Sequence, residues 1–593
     1  MASSPHTFYI PVMGTAFTAD SPLKVAHYGI NTVIALADDV LLERLRKYYS
    51  HLHNLSYQEI RNNTKDYRAD RITSYLNMVN KLVSKKFEDF TSATHDKLDE
   101  IQKYFKMLPE NSKLKQEFNR FIEKSSSIDE LSIWLKKNLS VGSIDVNIMT
   151  KVDKTNYFKK EQLPSKYNDA HAGLRGYANS DLESSVVFSA GMNPRLYGYI
   201  ASFDDFFPDQ NGYIKKKIIL KVSDYRSAVI QGKFLAKKGL WVSEYRIESG
   251  LNCGGHAFAT DGFLMGPILA EFRDRRQELI NDTFDILVSS LESEHRIIPN
   301  DKLSIKVTAQ GGVATAEEHN FLINHYNLDN VGWGTPFLLV PEATTVDKDT
   351  RDKLRAAREK DLYLSNISPL GVPFNSLRGS SKEVEKFQKI AEGKPGSPCP
   401  RKFLALSNEY GNEGICTASR LYQKNKIEEG GISDQITNKT CLCMGLAATA
   451  VINYEVETRE SKGVSICPGP NMAYFSEELT LSDMVSHIYN DLAGVVRSDR
   501  PNMFINELGM YLEYFSKKIE EHKRNWDRAS AKRLNTFANN MNQGIIYYKE
   551  MFNSVGDTFI EAKESVIQSL NDAKERMRKM TDEVSMLIEH NQR

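Results

Sequence analysis

Cysteine is scarce in this chain, with 6 in 593 residues, which excludes the dense disulfide framework of small secreted domains. An excess of charge of either sign is also missing: 77 basic residues meet 77 acidic ones, so nothing global draws the chain to nucleic acid or an anionic membrane. No apolar run is long enough for a membrane helix, and the opening MASSPHTFYIPVMG has no basic region followed by a long apolar segment. Internal repeats and low-complexity linkers are absent. These absences leave a soluble, cytoplasmic protein as the expectation. The 41% apolar content suffices for a substantial core, as roughly two to four domains or one large domain with insertions.

What is present is a recurrence of short apolar runs with helical spacing between them, the pattern of β/α units around a parallel sheet. Eight runs stand out, at residues 8–13, 32–36, 144–149, 185–189, 217–222, 241–247, 304–309 and 330–333. Eight β/α units close a barrel. The expected fold class is therefore α/β: a (β/α)8 TIM barrel over residues 1–370 with a long helical insertion, a mixed cysteine-bearing region after it, and a C-terminal helical hairpin or bundle. The insertion is residues 42–140, rich in Lys, Glu, Asn and Leu at three-to-four spacing. Residues 354–361 look like the closing helix, after which Pro369 and Pro373 break regular structure. Residues 371–490 then form the capping region and residues 491–593 the helical one. That last region is either a packing or dimerisation element or a tail that binds a protein partner.

In such a barrel the active site lies at the C-terminal ends of the strands. The residues just past each run are Met13-Gly14-Thr15 after the first, Asn147 in the third, Gly191-Met192-Asn193 after the fourth and ESGLNCGGHAFA (248–259) after the sixth. The seventh and eighth runs end on Gln310-Gly311-Gly312 and on Gly334-Thr335. Strand-to-helix turns that discard side chains expose backbone N–H groups, and such groups suit a phosphate.

The succession IPVMGT, DVNIM, SGLNCGGH, TAQGGVAT and VGWGTPFLLVPEAT resembles the nitronate monooxygenases and flavin-type enoyl reductases, FMN-binding TIM barrels distantly similar to the flavin domain of glutamate synthase. The family's active-site pattern (Gln or Glu, Gly, any residue, Glu, Ala, Gly, Gly, His) falls without a gap on Ser249 to His256. Its Ala-Gly-Gly turn falls on Gln310-Gly311-Gly312, its Gly-Thr-Arg-Phe turn on Gly334-Thr335-Pro336-Phe337, and a following glutamate on Glu342. Asn252, Cys253 and Pro336 depart from the pattern. The resemblance implies an FMN-dependent oxidoreductase of monooxygenase or reductase type, moving a hydride or electrons between the flavin and a small-molecule or acyl-chain substrate. FMN would be bound by Met13, Gly14, Thr15, Asn147, Ser249, Gly254, Gly255, Gly311, Gly312, Gly334 and Thr335, and His256 would be the catalytic acid or base. The competing reading of His256 is a residue that fills a turn. A competing reading of the whole is a flavin-binding barrel that works as a component of a multiprotein assembly.

Cys253 reads either as a small buried hydrophobe or as a proton donor facing the flavin. The other five, Cys399, Cys416, Cys441, Cys443 and Cys467, all follow the barrel. Their spacing matches neither ferredoxin runs nor zinc ribbons, which leaves an iron–sulfur cluster, a zinc, or free thiols in a buried cap.

Overall fold

The computed structural model describes residues 4–124, 127–189, 191–524, 528–556, 559 and 563–592. Each apolar run forms a strand: β1 (Phe8–Ile10), β2 (Asn31–Ala35), β3 (Ile144–Met149), β4 (Ser185–Ser189), β5 (Lys217–Val222), β6 (Val242–Glu248), β7 (Lys306–Gln310) and β8 (Asn330–Gly332). All eight are parallel and pair with their chain neighbours, and β1 joins β8 through Phe8 opposite Val331, so the barrel is closed. The runs are short and apolar because one face of every strand is covered by helices. Phe8, Ile34, Val146, Phe188, Leu220 and Ile247 belong to that outer core.

The inner faces are mixed. Val33, Val187 and Ile219 pack together inside the barrel with Val12. Next to Ile219 on the neighbouring strand, Glu244 pairs with Arg246 at 2.8 Å, whose guanidinium is 3.9 Å from the centre of the Tyr9 ring. A fully buried guanidinium persists because its charge and its donors are both matched.

Five helices lie between β2 and β3: Asp39–Leu52, Tyr67–Thr91, Leu98–Lys106, Lys113–Ile122 and Ile128–Asn138. The longest is part of the barrel wall, since its Ile72, Tyr75, Leu76, Val79 and Val83 sit in the main core. It crosses helix Asp169–Ala178 closely: a Cβ on Gly176 would lie 2.8 Å from that of Ile72.

The closing helix differs from the sequence expectation. Helix Lys348–Ala356 contributes Leu354 to a separate core shared by the cap and the rim loops, with Phe17, Phe374, Leu442, Ile466 and Met472. The eighth helical position is taken by Leu481–Asn490, whose Leu481, Met484, Val485 and Ile488 join the main core. Tyr489 Oη receives the Thr7 N–H at 3.2 Å at the start of β1, and the carboxylate of Asp491 accepts the Ala316 N–H at 2.5 Å and the Glu317 N–H at 3.2 Å, at the start of the helix that follows β7. Burial of four apolar side chains outweighs the greater length of connection.

Helices Met503–Arg524, Arg528–Ser554 and Lys563–Gln592 pack on one another and against helix Met265–Ser293, a three-helix arrangement on the flank of the barrel. Among the described residues no helix is long and apolar enough to cross a membrane.

Candidate functional site

The rim loops and the cap form a cleft at the C-terminal ends of β1, β6, β7 and β8. Of the residues expected to bind a cofactor, Met13, Gly14, Gly254, Gly255, Gly311, Gly312, Gly334 and Thr335 line it. Four loops far apart in sequence are thus brought together as the motifs require. The backbone N–H groups of Gly311, Gly312, Gly334 and Thr335 reach no acceptor among the described residues. Backbone N–H groups left without an acceptor beside a cleft are the kind of donor that an anion can use.

The glycines also serve the protein itself. Gly311 and Gly312 have φ of +126° and +82°, and a Cβ on Gly312 would collide with the Asn252 amide. A Cβ on Gly254 would stand 2.5 Å from the carbonyl oxygen of Cys467. Close packing of loop on loop therefore explains part of what the sequence pattern suggests for a ligand. That carbonyl belongs to a strap, Cys467 to Gly469, laid over the rim. Gly255 N–H donates to Cys467 O at 3.1 Å, and Gly469 N–H donates to Thr335 Oγ1 at 3.1 Å. Burial pushes the Cys467 thiol up to about 12.

Beneath the strap runs a polar chain. Lys221 on β5 pairs with Glu248 on β6 at 2.7 Å. Glu248 accepts from Gln310 Nε2 at 2.7 Å, and Gln310 Oε1 accepts from Tyr9 Oη at 3.1 Å. Glu248 and Gln310 face the cleft, while Tyr9 lies in the barrel interior under Arg246. Of these four, Gln310 and Glu248 were quoted in the sequence only as members of the rim motifs, and the alternation in KIILKV and VSEYRIE places Lys221 and Glu248 on inner faces. Cys253 lines the same cleft, its Sγ 3.5 Å from the Gln310 carbonyl. Burial, with Glu248 nearby, holds its pKa well above the usual thiol range, so it is a thiol and not a thiolate.

The remaining expected residues lie elsewhere. Thr15 Oγ1 and Asn147 Oδ1 are buried without a hydrogen-bond partner, Asn147 on β3 toward its C-terminal end. Ser249 Oγ donates to Glu507 Oε1 at 2.5 Å and accepts the Asn252 N–H at 3.2 Å, which commits it to the C-terminal helices. His256 does not line the cleft. Its backbone pairs with Phe374 of the cap hairpin Leu362–Ser365/Phe374–Leu377, its Nε2 is 2.7 Å from Ser368 Oγ, and burial lowers its pKa to about 4. The imidazole is neutral at neutral pH.

No family model matches the chain, and no curated protein matches it. Among solved structures it is similar to the enoyl reductase domain of MlnA from the macrolactin biosynthesis cluster of Bacillus amyloliquefaciens, at 15% identity over 61% of this chain and 84% of that one, with a TM-score of 0.32.

Proposed function

We propose that the chain is an FMN-dependent oxidoreductase, acting on a small-molecule or acyl-chain substrate admitted to the cleft between strap and rim. The observation that carries this reading is the pair of strand-end turns after β7 and β8, which line one cleft and whose N–H groups have no acceptor among the described residues. Gly311, Gly312, Gly334 and Thr335 would hold the phosphate, with Met13, Gly14, Gly254 and Gly255 against the rest of the cofactor. FMN is preferred to FAD because the turns offer a place for one phosphate and no dinucleotide fingerprint opens a helix after a strand. When bound, the flavin supplies hydride or single-electron chemistry.

The protein's own share is position and protons. Glu248, neutralised by Lys221 and tied to Gln310, presents an ordered carboxylate to the cleft. His256, the acid or base that the motif names, stands outside the cleft with its Nε2 on Ser368 Oγ. The strap excludes water from the rim.

Flavin fluorescence quenching on titration of FMN into the protein tests the reading directly, with about one FMN bound per chain expected. Gly334 is the informative substitution, because its φ of −104° suits any L residue and a side chain there would enter the cleft beside Pro11 and Met13. Gly334→Val should weaken FMN binding by roughly tenfold or more while leaving the thermal midpoint within a few degrees. Failure of the native protein to bind FMN would refute the proposal.

A further inference from the structure

Four of the six cysteines gather in one part of the cap. Cys399 and Cys416 pack together with Ala405 and Ala418, Cys441 and Cys443 pack with Phe403 and Met444, and Leu404 touches both groups. All four are buried, at 9%, 3%, 3% and 8% exposure in that order, and none is in a disulfide. The pairs are close enough to act on one another: Cys416 and Cys441 both influence Cys399, and Cys443 is influenced by the other three.

The turns around them are shaped to the sulfurs. The backbone N–H of Lys402 is directed at Cys399 Sγ, that of Ala418 at Cys416 and that of Met444 at Cys441. Bringing Lys402 back to Cys399 puts both residues in the left-handed region, at φ of +55° and +54°, a conformation that is strained for a non-glycine residue. A neutral thiol is a weak acceptor and repays little of this, whereas a metal-bound thiolate takes such N–H groups strongly. Lys382 and Arg401 lie within reach of Cys441, and no carboxylate is among the groups that act most strongly on the four. The other two cysteines differ, since Cys253 faces Glu248 and Cys467 stands alone in the strap.

The segment also needs a staple. Between helices Ser381–Ala391 and Arg420–Gly430 the chain has no helix or strand, only the bridges Ser397 with Ser419 and Ser407 with Ile415, and its buried apolar residues are Cys399, Phe403, Ala405, Cys416 and Ala418. Irregular segments with so little apolar surface are commonly held by disulfides or a metal.

We propose that Cys399, Cys416, Cys441 and Cys443 form a four-thiolate site for a thiophilic metal, zinc or an iron–sulfur cluster, and that Cys253 and Cys467 lie outside it. Each thiol releases a proton to solvent as its sulfur bonds to the metal. The sulfurs stand as two pairs, and among the described residues no three His, Cys, Asp or Glu groups are gathered as around one ion. Two pairs of thiolates are the ligand set of a two-iron cluster, one iron per pair, or of a single zinc, and either requires the pairs to draw together.

The test is metal and acid-labile sulfide analysis of the full chain purified anaerobically, with about one zinc, or two to four irons with matching sulfide, expected per chain. Cys416→Ser and Cys443→Ser, one from each pair, should each lower the bound metal by at least about tenfold, and Cys467→Ser should leave it unchanged. Stripping the metal from the unmodified protein with a chelator should lower the thermal midpoint, a readout that does not depend on any variant folding. Metal-free protein whose six thiols all titrate on unfolding would overturn the proposal, as would disulfides within the pairs or retention of full metal in a Cys416→Ser/Cys443→Ser double variant.

Discussion

Ser249 shows how a residue in a ligand motif can belong to the scaffold. Its hydroxyl, the Met265 N–H at 3.0 Å and the Tyr548 hydroxyl at 3.1 Å all donate to Glu507, a fully buried carboxylate on the first C-terminal helix. Burial raises the Glu507 pKa while these three donors pull it back. Ser249→Ala leaves that carboxylate short of one donor and should lower stability by about 1–3 kcal/mol, with FMN affinity unchanged; denaturant unfolding and flavin titration on the same preparation check both halves. The glycine turns were legible in sequence as turns at strand ends that line one cleft, while the close packing of loop on loop that they also serve was not. The polar floor was not, because Tyr9, Lys221, Glu248 and Gln310 come from four strands and meet only when the barrel closes. Alternation tells which face a residue is on, not its height in the barrel. His256 matched its motif by register, yet nothing in its neighbourhood announces that a hairpin over a hundred residues later takes its backbone and turns its ring to Ser368.

At the scale of elements, the eight strands were legible because each carries an outward apolar face, which a parallel sheet under helices demands. The closing helix was not. Residues 348–356 and 481–490 are both short helices, and the sequence holds no record of which one docks on β8 and β1. Docking of the later helix is fixed by polar contacts at its C-terminal end, from Tyr489 and Asp491, which gives a prediction. Asp491→Ala removes the acceptor for the first two N–H groups of helix Ala316–His325 and should cost about 1–2 kcal/mol. Asp491→Asn should recover most of it, since an amide oxygen still accepts. Urea midpoints of the three proteins decide the matter, and equal values would mean that the helix end is satisfied by water.

The whole molecule should be sensitive to mild acid. His319 is held between Trp333, whose indole N–H donates to Nδ1 at 3.1 Å, and Thr7 Oγ1, 2.9 Å from Nε2. A second proton on that ring would face another donor, and burial lowers its pKa to about 4. His6, between the Tyr28 carbonyl and the Tyr489 hydroxyl at 3.2 Å each, is lowered to about 4 for the same reason. Because the folded values lie below the unfolded value of about 6.5, the unfolded chain binds more protons between pH 6.5 and 4. Stability is complete above that window and falls through it, by about 3 kcal/mol per histidine. Glu507, with its raised pKa, works in the opposite sense. Calorimetry from pH 7.5 to 5 should show a falling midpoint and His319→Asn a shallower fall; an unchanging midpoint would count against both assignments. Removal of residues 503–593 should leave an aggregating protein and not a smaller barrel, because Phe504, Leu508, Leu512 and Phe515 are part of the barrel's own core. Expression of the truncated chain followed by size-exclusion chromatography tests this.

The late arrival of the eighth helix sets an order of assembly on the ribosome. The last strand ends at Gly332 and the helix that seals it begins at Leu481, about 150 residues later, which at ordinary elongation rates is on the order of ten seconds of synthesis. For that interval the outer faces of β8 and β1, including Phe8 and Val331, wait uncovered while the intervening cap emerges. The cap must therefore be made, and the cleft beneath it roofed, before the barrel can be finished.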